Sequence, residues 1–142
     1  MTDQTMKSIF NTEIAIRWGD LDAYNHVNNT LYLRYMEEAR IQLLLQMGYS
    51  LDDPKQGPVV INLQCSFLHP VTYPDNLSIE CFAVEPGNSS FMTYYRLHSQ
   101  KQNKLVCEGS AKIVWIDKTT NRSIALPAKL RKLIDQQQNL NN

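Results

Sequence analysis

Arg17-Trp18-Gly19-Asp20-Leu21-Asp22-Ala23-Tyr24-Asn25-His26-Val27-Asn28-Asn29 is a polar loop that runs directly into the longest helical pattern of the chain, and this junction decides the fold. From about Thr30 to Met47 the apolar residues Tyr32, Leu33, Met36, Ala39, Leu43, Leu44 and Met47 recur at steps of three and four, which traces one face of an amphipathic helix. Asn28 or Asn29 can cap its start by accepting from free backbone N–H groups, and Gly48 can adopt the left-handed conformation that ends it.

Upstream of the loop, Glu13 to Trp18 alternate, with Ile14, Ile16 and Trp18 on one side, the period of a half-buried strand. Downstream, after the turn-rich stretch Ser50 to Pro58, four alternating runs follow at about Val59–Leu68, Leu77–Glu85, Ser90–Ser99 and Lys104–Asp117. Pro- and Asn-rich turns separate them, and a meander of antiparallel strands is the simplest reading. In the last run Leu105, Cys107, Gly109, Ala111, Ile113 and Trp115 share a face whose small centre lets a helix come close. Pro127 suits a first helical position and opens a short helix over Ala128 to Gln137. One long helix must bury its stripe on one face of this sheet, which predicts a single α+β domain over residues 1–142, its core from about 13 to 127 and both ends frayed. Open sheet edges make pairing between two copies an economical arrangement.

Composition narrows the function. At 142 residues one domain buries roughly two thirds of the surface its unfolded chain exposes. Lys plus Arg and Asp plus Glu balance at 14 each, so no charge excess favours nucleic acid or an anionic membrane. No apolar run reaches the roughly 20 residues of a membrane span, and the polar start lacks a secretory signal, so a cytoplasmic address is expected. Cys65, Cys81 and Cys107 lie in apolar alternating runs without metal-ligand spacing and read as buried, reduced thiols.

The loop carries the chemistry. A helix start presents unpaired N–H groups and a partial positive charge, which suits an oxyanion developing in acyl transfer. A carboxylate beside it can activate water. Thioester hydrolysis needs little else, because a thiolate leaves readily.

The run RWGDLDAYNHVNNTLYLRYMEEAR, from Arg17 to Arg40, resembles the signature of the 4-hydroxybenzoyl-CoA thioesterase-like group of hot-dog proteins. Two later segments agree: Ser66-Phe67-Leu68-His69-Pro70 resembles the family's Phe-x-x-Pro turn, and Glu108 to Asp117 its last long strand. The resemblance spans about Glu13 to Pro127. It implies a hot-dog fold in which a curved antiparallel sheet of about five strands wraps one central helix, and an acyl-CoA thioesterase. It further implies Asp22 as general base or nucleophile, and a backbone N–H at or next to Asn29 polarising the carbonyl. His26 and Asn28 support these two. CoA enters as part of the substrate, with no resident cofactor and no metal. The resemblance also implies a homodimer or homotetramer with sites at the interface.

Each residue has a plainer reading. Asp22 is also an ordinary turn aspartate, Asp20 fits a strand-to-loop turn with Arg17, and His26 can simply hold loop backbone. Glu37 and Glu38 are where another hot-dog branch keeps its acid, but at helical spacing they pair with Arg40 and Arg34. His69 and His98 lack motif partners, and Tyr73, Tyr94 and Tyr95 are candidates for an acyl pocket, although aromatic residues on strands more often belong to a core or an interface. Rival functions are a binding module for acyl-CoA or acyl carrier protein, and a hot-dog hydratase of enoyl thioesters using Asp22 with His26. A serine esterase would need a Gly-x-Ser-x-Gly turn that is absent here.

Overall fold

The computed structural model describes residues 7–141, and side chains as far as Gln137. Met1 to Met6 and Asn142, part of the ends expected to fray, lie outside the described residues; within them the backbone is already strand at Phe10 and still helical at Asn141. The elements in chain order are β1 (Phe10–Ala15), α1 (Asn29–Gln46), β2 (Gln56–Phe67), β3 (Asn76–Val84), β4 (Ser90–Ser99), β5 (Lys104–Asp117), the two-residue β6 (Arg122–Ser123) and α2 (Ala128–Asn141). One long helix and an antiparallel sheet make up the α+β arrangement expected, with β6 a short addition to the five anticipated strands.

The helix ends follow local chemistry. The Asn28 side chain accepts from the Thr30 N–H at 3.0 Å, which selects Asn28 over Asn29 as the cap. Gly48, at φ 87°, turns the chain away after the last turn. The face α1 buries contains Tyr32, Met36, Ala39, Leu43 and Leu44, as the periodicity requires, and adds Tyr35. Leu33 and Met47 are only partly covered.

The strand order β1-β3-β4-β5-β2 corrects the simple meander. Among the long strands β3, β4 and β5 alone follow one another across the sheet, and the short β6 folds back on β5. β1 pairs with β3, and β2 crosses to the far edge and pairs with β5, from Gln56 opposite Asp117 to Phe67 opposite Cys107. Pairing depends on which apolar faces meet in three dimensions, and alternation within a strand carries no information about its neighbour. On β5 a bulge between its pairings with Leu97 and His98 shifts the alternation, so Val106 is fully buried and Leu105 only partly.

β1 also begins and ends three residues earlier than the alternation implies. After Ala15 the chain makes a 3-10 turn over Trp18–Asp20, closed by the Arg17 N–H on the Asp20 carboxylate at 3.0 Å. Trp18 therefore stands 75% exposed instead of joining Ile14 and Ile16 beneath the helix. At the centre of the sheet, Gly109 lets Met36 of α1 settle onto β5.

Candidate active site

The loop between the 3-10 turn and α1 is a miniature hairpin. The Asn28 N–H donates to the Asp20 carbonyl at 3.0 Å and the Asp22 N–H to the His26 carbonyl at 2.9 Å, and Leu21 bridges Val27 between them. Its tip turns back at Asp22 to Asn25, where the Asn25 N–H donates to the Asp22 carbonyl at 3.0 Å. Asn25 takes φ 61°, a left-handed conformation that asparagine tolerates better than most residues. Val27, buried, anchors the returning strand through its N–H to the Val71 carbonyl.

This hairpin and the start of α1 form one wall of a cleft of about 350 Å³. Asp22, Tyr24, His26, Val27, Asn29 and Tyr32 line that wall, and Phe67, Leu68, His69 and Pro70 from the end of β2 line the other. Asp22 and Asn29, the two leading candidates, thus share a cavity, with His26 beside them. Asn28 is not among the lining residues; it caps α1, its side chain holding the Thr30 N–H and hydroxyl and its carbonyl the Leu31 N–H. Among the described residues the Asn29 N–H has no acceptor, so a donor at the positive end of α1 is unspent within the cleft wall.

Asp22 makes the bond the turn reading asks for. Its Oδ1 accepts the Tyr24 N–H at 2.9 Å, which fixes the carboxylate orientation. Among the described residues Oδ2 has no donor, and the residue is half-buried in the cleft wall. Asp20 faces the other way, its Oδ2 accepting the Tyr35 hydroxyl at 2.7 Å.

Tyr32 forms the floor. Its ring meets Phe67 edge-on at 5.3 Å, and burial, reinforced by Cys107 and Cys65, pushes its hydroxyl up to about 12. Cys65 and Cys107 lie side by side, their sulfurs 3.2 Å apart as free thiols. Cys107 and Cys81 are buried, whereas Cys65 is only partly so.

Tyr73, Tyr94 and Tyr95 do not line this cleft: Tyr73 is largely exposed and Tyr95 lies in the core against Arg40. Glu37 and Glu38 are not at this site and do not pair with Arg40 and Arg34. Arg40 instead turns inward to the Tyr95 hydroxyl at 3.1 Å, and Glu38 accepts from Gln42 at 3.3 Å. His69 had no visible partner in sequence yet lines the cleft, because the turn after β2 carries it there. His98 pairs with Glu80 at 3.0 Å on the sheet. Among the described residues no three His, Cys, Asp or Glu side chains gather as a metal site, and no helix is long and apolar enough to cross a membrane.

Comparison with known proteins follows the same outline. The family model of the thioesterase-like superfamily matches residues 16–134. The chain is 28% identical over 132 residues to FadM of Escherichia coli strain K12, a long-chain acyl-CoA thioesterase, covering 88% of this chain and 96% of the relative. It superposes with TM-score 0.86 and 37% identity on the PA2801 protein of Pseudomonas aeruginosa, a candidate thioesterase, over 90% of this chain and 99% of the other. Slr0204 of Synechocystis, a 1,4-dihydroxy-2-naphthoyl-CoA thioesterase, has the same fold at TM-score 0.82 and 18% identity, over 89% and 95% of the two chains.

Proposed function

This chain belongs to the thioesterase-like superfamily and is a hot-dog-fold thioesterase, and from that premise we propose that it hydrolyses acyl-CoA to a free carboxylic acid and CoA, with Asp22 as the reacting acid. The observation that carries the reading is the shared cleft: the Asp22 carboxylate and the start of α1 at Asn29 line one cavity. FadM supports an acyl-CoA as the class of substrate.

The chemistry follows from these two groups. A thioester carbonyl seated at the Asn29 N–H is polarised by that donor and by the helix dipole. Asp22 then takes a proton from water as the new hydroxide attacks the carbonyl carbon, and negative charge collects on the oxygen. Collapse expels the CoA thiolate, which takes up the proton, leaving carboxylic acid and free thiol. In the nucleophilic variant Asp22 itself attacks, and water cleaves the resulting anhydride. Asn28 keeps the donor aimed by capping the helix, and His26 holds the hairpin by accepting the Asp22 N–H on its carbonyl. No resident cofactor or metal enters this scheme, since CoA arrives and departs with the substrate.

The same reading places two copies of the chain edge to edge. Among the described residues β2 is the last strand of the sheet and its outer row of backbone groups has no partner strand, with Val60, Ile61, Leu63 and Phe67, and Leu68 just beyond it, all exposed. A strand of this length and apolarity is covered most economically by its own copy, antiparallel about a two-fold axis. Phe67 and Leu68 stand in both the edge and the cleft wall, so a homodimer, or a homotetramer built from it, would enclose the cavity further.

The test is thiol release from short, long and aromatic acyl-CoAs by the native protein and by Asp22→Asn. We expect Asp22→Asn to fold normally and to lose about 10²–10⁴ in kcat, the contribution of a positioned acid or base. Near-native turnover removes Asp22 from the mechanism. Binding without thiol release in the native protein, or a 3-hydroxyacyl product with the thioester intact, points instead to a binding module or a hydratase. A single turnover in ¹⁸O-labelled water separates the two roles of Asp22, because the label enters its carboxylate only if it attacks.

A further inference from the structure

Asp20 and Tyr35 stand outside the cleft, yet they join the two pieces that have to be held in register for the chemistry. Asp20 closes the base of the hairpin through its carbonyl, which accepts the Asn28 N–H at 3.0 Å. Its carboxylate accepts the Arg17 N–H at 3.0 Å and the Tyr35 hydroxyl at 2.7 Å, both on Oδ2. Tyr35 lies in α1, between one and two turns beyond Asn29, and is only 5% exposed. Its ring meets Tyr32, which lines the cleft, edge-on at 6.1 Å.

We propose that the Tyr35–Asp20 hydrogen bond is a positioning contact for thioester hydrolysis: it locks the hairpin carrying Asp22 to the body of α1, so that carboxylate and helix-start donor address one point in the cleft. The proposal rests on the reading of Asp22 as the reacting acid.

The hydroxyl is what distinguishes positioning from packing. A phenylalanine ring would fill the same space under β1, whereas only the hydroxyl reaches Asp20, through a hydrogen bond to a carboxylate, roughly twice as strong as a neutral one. Burial and this bond together raise the ionisation of Tyr35 well above the ordinary tyrosine range, so the hydroxyl stays a donor at any working pH. The hairpin has few other ties to the helix. Besides the Asn28 rung at its base, its tip is held by bonds within itself, and Val27 is tied to Val71, on a segment after β2. A shift of about 1 Å between reacting groups can cost on the order of 10² in rate.

The experiment is a double-mutant cycle with steady-state thiol release from one acyl-CoA. Tyr35→Phe should lower kcat about tenfold, with KM within about twofold of native, because substrate binding does not use the hydroxyl. In the Asp22→Asn background the same change should cost less than about twofold, since no carboxylate remains to be positioned. Asp20→Asn, which keeps the side-chain shape and weakens the bond, should show the same split, and it carries the test if Tyr35→Phe folds poorly. An unchanged kcat in Tyr35→Phe, or an equal loss in both backgrounds, overturns the positioning role while leaving Asp22 in place. Normal turnover by Asp22→Asn alone overturns the reading of the site and this proposal with it.

Discussion

Met36 occupies the space above Gly109, so that a β-carbon on that glycine would fall 2.3 Å from the Met36 terminal methyl, 2.5 Å from its sulfur and 3.0 Å from the Gln64 carbonyl oxygen. The central helix and the last long strand meet here, and the missing side chain sets how closely they approach.

Gly109→Ala is therefore expected to destabilise the fold by about 1–3 kcal/mol, the usual cost of an extra methyl group forced into a packed core. Met36 is fully buried and has nowhere open to move, and the Gln64 carbonyl belongs to the β2 backbone. Urea denaturation measures the change, and an unchanged midpoint would mean that the methionine swings aside without cost.

Stability should fall on the alkaline side. Burial raises Cys81 from 9.0 and Tyr32 from 10.0, each to about 12. Below about pH 9 both are neutral whether the chain is folded or not, and their stabilising contribution is intact. Between there and about pH 12 the unfolded chain releases these protons while the folded chain holds them, so folding weakens as pH rises. Melting temperatures recorded across that window should decline less steeply in Tyr32→Phe than in the native protein; identical slopes would show that Tyr32 does not contribute.

A charge on the free edge should separate the copies. Ile61 is 58% exposed and sits at the irregularity where the pairing of β2 with β5 shifts register, so Ile61→Lys is tolerated within one chain but opposes strand pairing with another. Light scattering should show the native protein as an oligomer and Ile61→Lys as a monomer of unchanged helix and strand content. A native monomer at assay concentrations would contradict the edge-to-edge arrangement.

The parts of this molecule that could be read from sequence are those in which cause and effect lie close along the chain. Asn28 caps and Gly48 terminates α1 because each acts within a few residues, and Asp22 and Asn29 reach one cleft because a short hairpin folds between them. Trp18 leaves the strand that Ile14 and Ile16 predict because alternation says nothing of the turn that the Asp20 carboxylate closes on the Arg17 N–H. The place of His69 in the cleft is illegible in sequence for a related reason. The far wall of the cleft comes from the end of β2, and its place depends on β2 pairing with β5 instead of β3. Tyr35 stands on the buried face of α1, three residues after Tyr32 and four before Ala39, but its hydroxyl acquires meaning only through Asp20, fifteen residues earlier.

The placement of β2 at the border of the sheet also bears on how the chain is made. β2 is complete at Phe67, but β5, its one neighbour among the described residues, starts at Lys104. At roughly 5–20 residues per second of synthesis, the ribosome takes seconds to deliver that neighbour. During that interval a long ribbon carrying Val59, Val60, Ile61, Leu63 and Phe67 has no mate, which makes it a segment open to early chaperone capture or to premature association with a sister chain on the same messenger.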